Sequence, residues 1–399
     1  MLNRITLVFP YRDISGVPIL FSRLADQLFG RVEKITIVDY EHGALNKLTK
    51  HLSLDRIFLK TGERLEFTSE DTVIMQASSL EYLRPEFCFH PDTRLFFWHL
   101  HPDNLKLNTF GIGPFRSDFK NLRGRQFKRL NNFVQELISF KGIVAMDEYN
   151  VISPSTYFAA NLEIPLVPIL LSEKQNMLEP SKSGFTNNWA YIGRIEGFKT
   201  LAIKKLLESI SDYSKKTLSS PSLFLFGDGA DSEQISEYAE KLNVKAISLG
   251  LIDNHSISAH VHEYDISLIF AMGTSILDGM RSGCLVAKLN YFHFHIEGYP
   301  DYYLKALENS YCLGRELRRN EFRSINSLIA LVEICKSEYS QKLRLQNEYI
   351  DSYYNNYHNI SKFLDYLSKS TLKYSFILKY NKRNLIRKSY NYIKYSIFG

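Results

Sequence analysis

The sequence predicts an α/β protein of two Rossmann-like, doubly wound domains, and three observations carry that reading. An apolar strand, a glycine turn and an amphipathic helix open the chain. A second strand–helix series starts afresh at Trp189. Between the two, Ser172 to Asn188 is polar and holds Pro180, Ser181, Ser183 and Gly184, the composition of a linker. A chain of 399 residues is long enough to fill two such cores. The boundaries read as 1–180, 181–345, a helix over 346–370 that crosses back to the first domain, and a tail over 371–399.

In the first domain, Leu2–Phe9 reads as a buried strand. A turn with Gly16 follows, then a helix with Ile19, Leu20, Leu24 and Leu28 on one face. Ligands of such domains collect at the carboxyl ends of the strands. Neither G-x-G-x-x-G nor a P-loop lysine is present, so the usual dinucleotide and ATP signatures are missing. Alternation continues with strand 34–40, helix 44–52 and strand 71–76. The apolar strand Thr93–Trp98 then runs straight into His99-Leu-His101-Pro102. At the end of this strand one of the two histidines can reach a cleft while the other packs into the core. They lack a third metal ligand nearby, and each is either a structural histidine or a functional one. A long basic helix is expected over 118–140, a strand over 142–146 and another over 165–170.

The second series begins with Trp189–Ile192, a strand ending in Gly193-Arg194, with Gly197 and Lys199 after it. Helix 201–211, strand 223–226 and the turn Gly227-Asp228-Gly229 come next. Helix 232–242 and strand 245–249 lead into the turn Gly250-Leu-Ile252-Asp253. After the strand ending near Phe270, Gly273, Thr274 and Ser275 lead into a short helix, which Gly283 ends before the strand of Leu285, Val286 and Ala287. A helix start offers backbone N–H groups to an anion such as a diphosphate. Asp278, about one turn on, can accept from ribose hydroxyls. His293, His295 and Glu297 lie in an aromatic, irregular stretch and could resemble a metal cluster, and helical patterns run from Ile325 to Leu367.

Composition excludes several classes. The hydrophobic fraction of 45% and charged fraction of 23% are those of a globular enzyme. Cys88, Cys284, Cys312 and Cys335 form no ligand or disulfide pattern, which fits a reducing, cytoplasmic setting. No apolar run is long enough to span a bilayer, and residues 1–9 do not read as a signal peptide. The net charge of +6 is uneven: eight Lys and Arg and no acid follow Asp365. The body is therefore near neutral, and a nucleic-acid partner is not indicated. Ile386, Tyr390, Ile393 and Ile397 form an apolar stripe flanked by Arg387 and Lys394, a pattern suited to an anionic membrane surface.

Gly193-Arg194 with Lys199, Phe226-Gly-Asp-Gly229, Leu249-Gly250, and Gly273-Thr-Ser-Ile-Leu-Asp278 with Gly283 occur in a familiar order over residues 189–290. Together they resemble the donor-binding domain of GT-B glycosyltransferases, particularly the retaining family 4 enzymes of bacterial surface polysaccharide synthesis, lipopolysaccharide and capsule included. The resemblance implies two domains facing across a cleft, and a hexosyl transfer from a nucleotide-diphosphate sugar to a glycan or lipid-linked glycan acceptor. No cofactor is implied, and with no Asp-x-Asp pair, no metal. It puts Arg194, Lys199, Gly273, Thr274 and Ser275 on the donor diphosphate, Asp278 on the ribose, and Gly250 and Ile252 along the base. Gly16, Gly227 and Gly229 are its glycine turns. A histidine in a comparable loop lies near the donor sugar, which implicates His101, and His99 after it, at the reacting centre. Two departures stand out: Asp278 replaces the second family glutamate, one methylene shorter, and Phe270 replaces the first. The second departure leaves the anomeric outcome open. A nucleotide-sugar 2-epimerase on the same fold, or a GT-B protein that binds glycan or a partner without turnover, remain the alternatives.

Overall fold

The structure, a computed structural model, describes residues 4–60, 62–80, 83–105, 120–171, 184–253, 256–295, 297–308, 310–323 and 326–381. It divides into two compact units, residues 1–170 with 356–399, and residues 171–355.

The first unit contains β1 (Arg4–Val8), α1 (Gly16–Leu28), β2 (Lys34–Asp39), α2 (Ala44–Leu48) and β3 (Asp55–Phe58). The short strands β4 (Leu65–Phe67) and β6 (Phe87–Phe89) pair with each other outside the main sheet, on either side of β5 (Thr72–Gln76) in sequence. Then come β7 (Arg94–His99), α3 (Lys120–Ser139), β8 (Ile143–Ala145) and α4 (Glu148–Phe158). The sheet order is β3-β2-β1-β5-β7-β8, and every pairing in it is parallel. Val73, Ile74 and Met75 are all buried, the continuous apolar run of a strand covered on both faces.

Three expectations need correction here. Residues 165–170 make only a single bridge, Ala145 to Leu166, and form no strand. The expected helix 44–52 stops at Leu48, because Arg56 donates to the carbonyls of Thr49, Leu52 and Leu54 and so satisfies a non-helical chain. The tail expected over 371–399 is not free at its start. Leu372 is buried against Gly142, Leu95 N–H donates to Leu372 O at 3.0 Å, and Lys373 pairs with Asp92 at 2.8 Å. The helix over Tyr374–Asn381 then stacks Phe376 on Phe133 at 5.7 Å and sets Tyr380 beside it. The stripe from Ile386 to Ile397 lies outside the described residues.

The second unit repeats the winding with β9 (Asn188–Ile192), α5 (Phe198–Thr217), β10 (Ser222–Phe226), α6 (Ser232–Lys241), β11 (Lys245–Gly250), α7 (Ile257–Glu263), β12 (Leu268–Ala271), α8 (Thr274–Met280) and β13 (Leu285–Lys288). The strands β14 (Tyr299–Pro300), β15 (Tyr303–Leu304) and β16 (Phe322–Arg323) are two residues each. The main sheet runs β11-β10-β9-β12-β13-β15, parallel apart from the last pairing. Trp189, Tyr191, Leu225, Phe270 and Leu285 build its core. The helix α9 (Asn326–Tyr353), kinked at Glu338, closes the unit, and α10 (Asn356–Ser368) opens the returning segment of the first.

Candidate functional site

Register brings the separate motifs of the second unit to one sheet edge. Ile192 pairs with Phe226 on one side and with Ala271 on the other, Phe226 with Gly250, and Ala271 with Lys288. The turns at Gly193, Gly227–Gly229, Gly250 and Gly273 therefore leave neighbouring strand ends on one level. Strand order reverses at β9, so the loops after β9 and β12 part in opposite directions, and a crevice is expected between them, where such sheets take ligands.

The loops after β9 and β10 touch backbone to backbone. Gly193 N–H donates to Phe226 O and Ile195 N–H to Asp228 O, each at 3.0 Å. A Cβ on Gly227 would stand 1.9 Å from Gly193 O, and one on Gly229 2.5 Å from Ile195 O. These two glycines are needed for close approach. Gly250 and Gly273 instead hold φ of 71° and 65°, which turns each strand away from the sheet.

The helix α5 starts behind Gly197, and its first turn already holds an anion. One oxygen of Asp231 accepts from Gly197 N–H at 3.0 Å and from the Thr200 hydroxyl at 2.5 Å. Anion-binding capacity in this loop thus lies in side chains. Arg194 is exposed and pairs with Glu196 at 2.5 Å. Lys199 is half-buried, and its Nζ lies 3.6 Å from where a Cβ of Gly193 would stand. Among the described residues its ammonium makes no hydrogen bond and no ion pair. Burial, with Arg194 adding to it and Glu196 opposing, pushes its pKa down to about 8. Beneath it the Tyr191 hydroxyl, fully buried, donates to Arg194 O at 3.1 Å, and desolvation raises its pKa.

Across the crevice, Gly273 N–H is taken by Leu313 O at 2.7 Å, so the turn itself offers one donor fewer than expected. Thr274 and Ser275 follow, half-buried. Asp278 lies in the second turn of α8 and is buried, which leaves little of its carboxylate for a ribose. Phe270 is inside β12, wholly buried against Trp189 and Tyr302. Ile252 is half-buried beyond Gly250, which bridges to Gly227. His293 is exposed and packs edge-on against Phe198 and Tyr291. Among the described residues no three His, Cys, Asp or Glu side chains are grouped to hold a metal.

In the first unit His99 ends β7 with no exposed surface. Burial, with the nearby His101 adding to it, drives its pKa to about 3, so it is a neutral core imidazole. It cannot touch a substrate from there, and it is withdrawn from the reacting centre. His101 is 39% exposed. Its Nδ1 accepts from Asp103 N–H at 3.2 Å, which puts the proton of the neutral ring on Nε2. Asn104 Oδ1 fixes the loop by accepting from Leu100 and His101 N–H at 3.2 and 3.0 Å. Gly16, exposed, begins α1 after Ser15. The sequence reading missed Glu196 and Asp231. An Asp-Ser pair before a helix was the available signal for Asp231, and nothing in the sequence marks that its carboxylate caps a different helix.

No protein-family model and no curated protein sequence matches the chain. Solved structures do. A glycosyltransferase from Rickettsia africae ESF-5 superposes with a TM-score of 0.57 at 12% identity, covering 92% of this chain and 98% of its own. The lipopolysaccharide outer core galactosyltransferase WaaB gives 0.54 at 11% identity, with 92% and 99% covered. HepE of Anabaena, in complex with UDP and glucose, gives 0.52 at 11%, again with 92% and 99%. At these identities the likeness establishes the fold: this chain has the GT-B arrangement of two parallel-sheet α/β units.

Proposed function

We propose that the protein is a glycosyltransferase that moves a sugar from a nucleotide-diphosphate sugar to a glycan or lipid-linked glycan, in polysaccharide or lipopolysaccharide synthesis. The observation that carries this reading is Lys199. A half-buried ammonium without a hydrogen-bond or ion-pair partner among the described residues is costly, and it lies at the switch point of a parallel sheet, where a diphosphate would pair with it. The neighbours in fold are glycosyltransferases, one of them holding UDP and glucose.

As the glycosidic bond breaks, negative charge grows on the departing nucleotide diphosphate. Lys199 and Arg194 would stabilise that charge more in the transition state than before it, which is how a fixed cation accelerates the step. Thr274 and Ser275 would add hydroxyl and N–H donors from the other side of the crevice. His101, through Nε2–H, would donate to a hydroxyl of the donor sugar. Replacing it with Ala is expected to lower turnover by about 10²-fold while nucleotide affinity stays within a factor of two.

A second reading has an observation of its own. Phe270 offers no acceptor where the resembled enzymes carry a glutamate, so the protein would bind nucleotide sugar and glycan without transfer. Incubation with a panel of nucleotide sugars and added acceptors separates the readings. Transfer supports the first, and binding without product supports the second. Epimerised donor, or no nucleotide-sugar binding at all, sinks both.

A further inference from the structure

The carboxyl edge of the first unit carries groups that nucleotide-sugar binding leaves unused. Strand order reverses at β1, between β2 and β5, so a ligand crevice is expected there as well. The loop after β1 is pinned through its main chain. Tyr11 N–H donates to Asp39 Oδ1 at 3.0 Å, and Ala44 N–H donates to Tyr11 O at 2.7 Å. Asp39 is 1% exposed, and its other oxygen accepts from Asn46 N–H at 2.9 Å.

On this fixed backbone Tyr11 stays 40% exposed. Phe9 supports it at 5.7 Å, and Phe9 in turn stacks on the buried Phe21 at 5.4 Å. Beside it, exposed Arg12 lies over the ring of Tyr40 at 5.7 Å. Arg84 lies over the same ring at 5.5 Å and donates to the Tyr40 hydroxyl at 2.6 Å. Two guanidiniums thus share one ring, while Glu86, 3.6 Å from Arg84, balances only that one. Arg12 has no carboxylate partner among the described residues.

An exposed, rigid aromatic ring accepts the C–H face of a sugar. An unpaired guanidinium next to it takes a carboxylate or phosphate through two parallel hydrogen bonds. We propose that the Tyr11–Arg12 loop binds an anionic carbohydrate, its ring on Tyr11 and its carboxylate or phosphate on Arg12. Only the further role of this site as the acceptor end of the transfer rests on the glycosyltransferase reading.

Isothermal titration of the full chain with tetragalacturonate, glucose 6-phosphate, maltotetraose and UDP tests it. The two charged sugars are expected to bind more tightly than maltotetraose, and the tighter of the two identifies a uronate or a phosphate as the group recognised. Arg12→Ala should weaken both by about tenfold and leave UDP unchanged, with Arg12→Lys restoring part of the loss. Tyr11→Ala should weaken every sugar that binds. Both side chains are at the surface, so an unchanged melting temperature is the control for folding. Equal affinity for charged and neutral sugars, indifference to Arg12→Ala, or no sugar binding at millimolar concentration overturns the proposal. Loss of UDP binding by the unmodified chain would instead strike the donor reading alone.

Discussion

Lys199 makes the sharpest predictions at the scale of a single residue. Replacing it with Met should weaken nucleotide diphosphate binding by about 1.5–3 kcal/mol, the range for a hydrogen bond to a charged group. Calorimetry with UDP and GDP would read this. Affinity should also fall as pH rises through about 8, because the free ammonium loses its proton there. Lys199→Arg should abolish that fall. Stability moves the other way. Folding depresses this pKa from 10.5 to about 8, so between those values the unfolded chain holds more protons, and stability rises with pH. Glu196 gives a second test. It faces Arg194 as a competitor for any incoming phosphate, so Glu196→Gln should tighten nucleotide binding by about twofold to fivefold, the worth of an exposed pair. Unchanged or weaker binding would mean that Arg194 does not reach the phosphate.

At the scale of elements, the two loops that meet at Gly193 and Gly227 act as one piece. Gly227→Ala would place a methyl carbon on Gly193 O and force the strand ends apart, for about 2 kcal/mol or more of lost stability. A lower denaturation midpoint together with weakened nucleotide binding is the expected pair of outcomes, and a neutral variant would count against the contact. Much of this edge was legible beforehand. Parallel strands buried on both faces read as apolar runs, and glycine turns punctuate them at Gly193, Gly227, Gly250 and Gly273. Other parts left no local signal. Strand β3 is a sheet edge with Ile57 and Phe58 partly exposed, so it lacks a continuous apolar run. Residues 165–170 have strand composition but no partner beyond one bridge, and pairing is decided by neighbours rather than by propensity. The difference in burial between His99 and His101 does not come from spacing, since residues two apart share one face of a strand; β7 ends at His99, and His101 lies beyond it on the following loop.

For the molecule as a whole, the tail divides into two parts with different consequences. Truncation after Ser370 would remove Leu372, Phe376, Ile377 and Tyr380 from the first unit's core and should lower its thermal stability markedly. If the basic residues from Lys382 to Lys394 hold the protein on a membrane, the untruncated chain alone should bind anionic vesicles, less so in high salt. Vesicle binding that survives loss of residues 382–399 would place the membrane contact elsewhere. Among the described residues, no helix is long and apolar enough to cross a membrane.

The seat of Leu372 also bears on how the protein is made. On the side that carries β8, the first half of β7 is covered by Leu372 and Lys373, which follow β8 by roughly 230 residues of chain. At about 5–20 residues per second of synthesis, the nascent first unit waits about 10–50 s for its last piece. Through that interval the notch beside Gly142 and the main chain of Leu95 stand open to other chains. A ribosome-bound intermediate halted just after the second unit should therefore recruit chaperones through this notch and release them once residues 371–381 emerge.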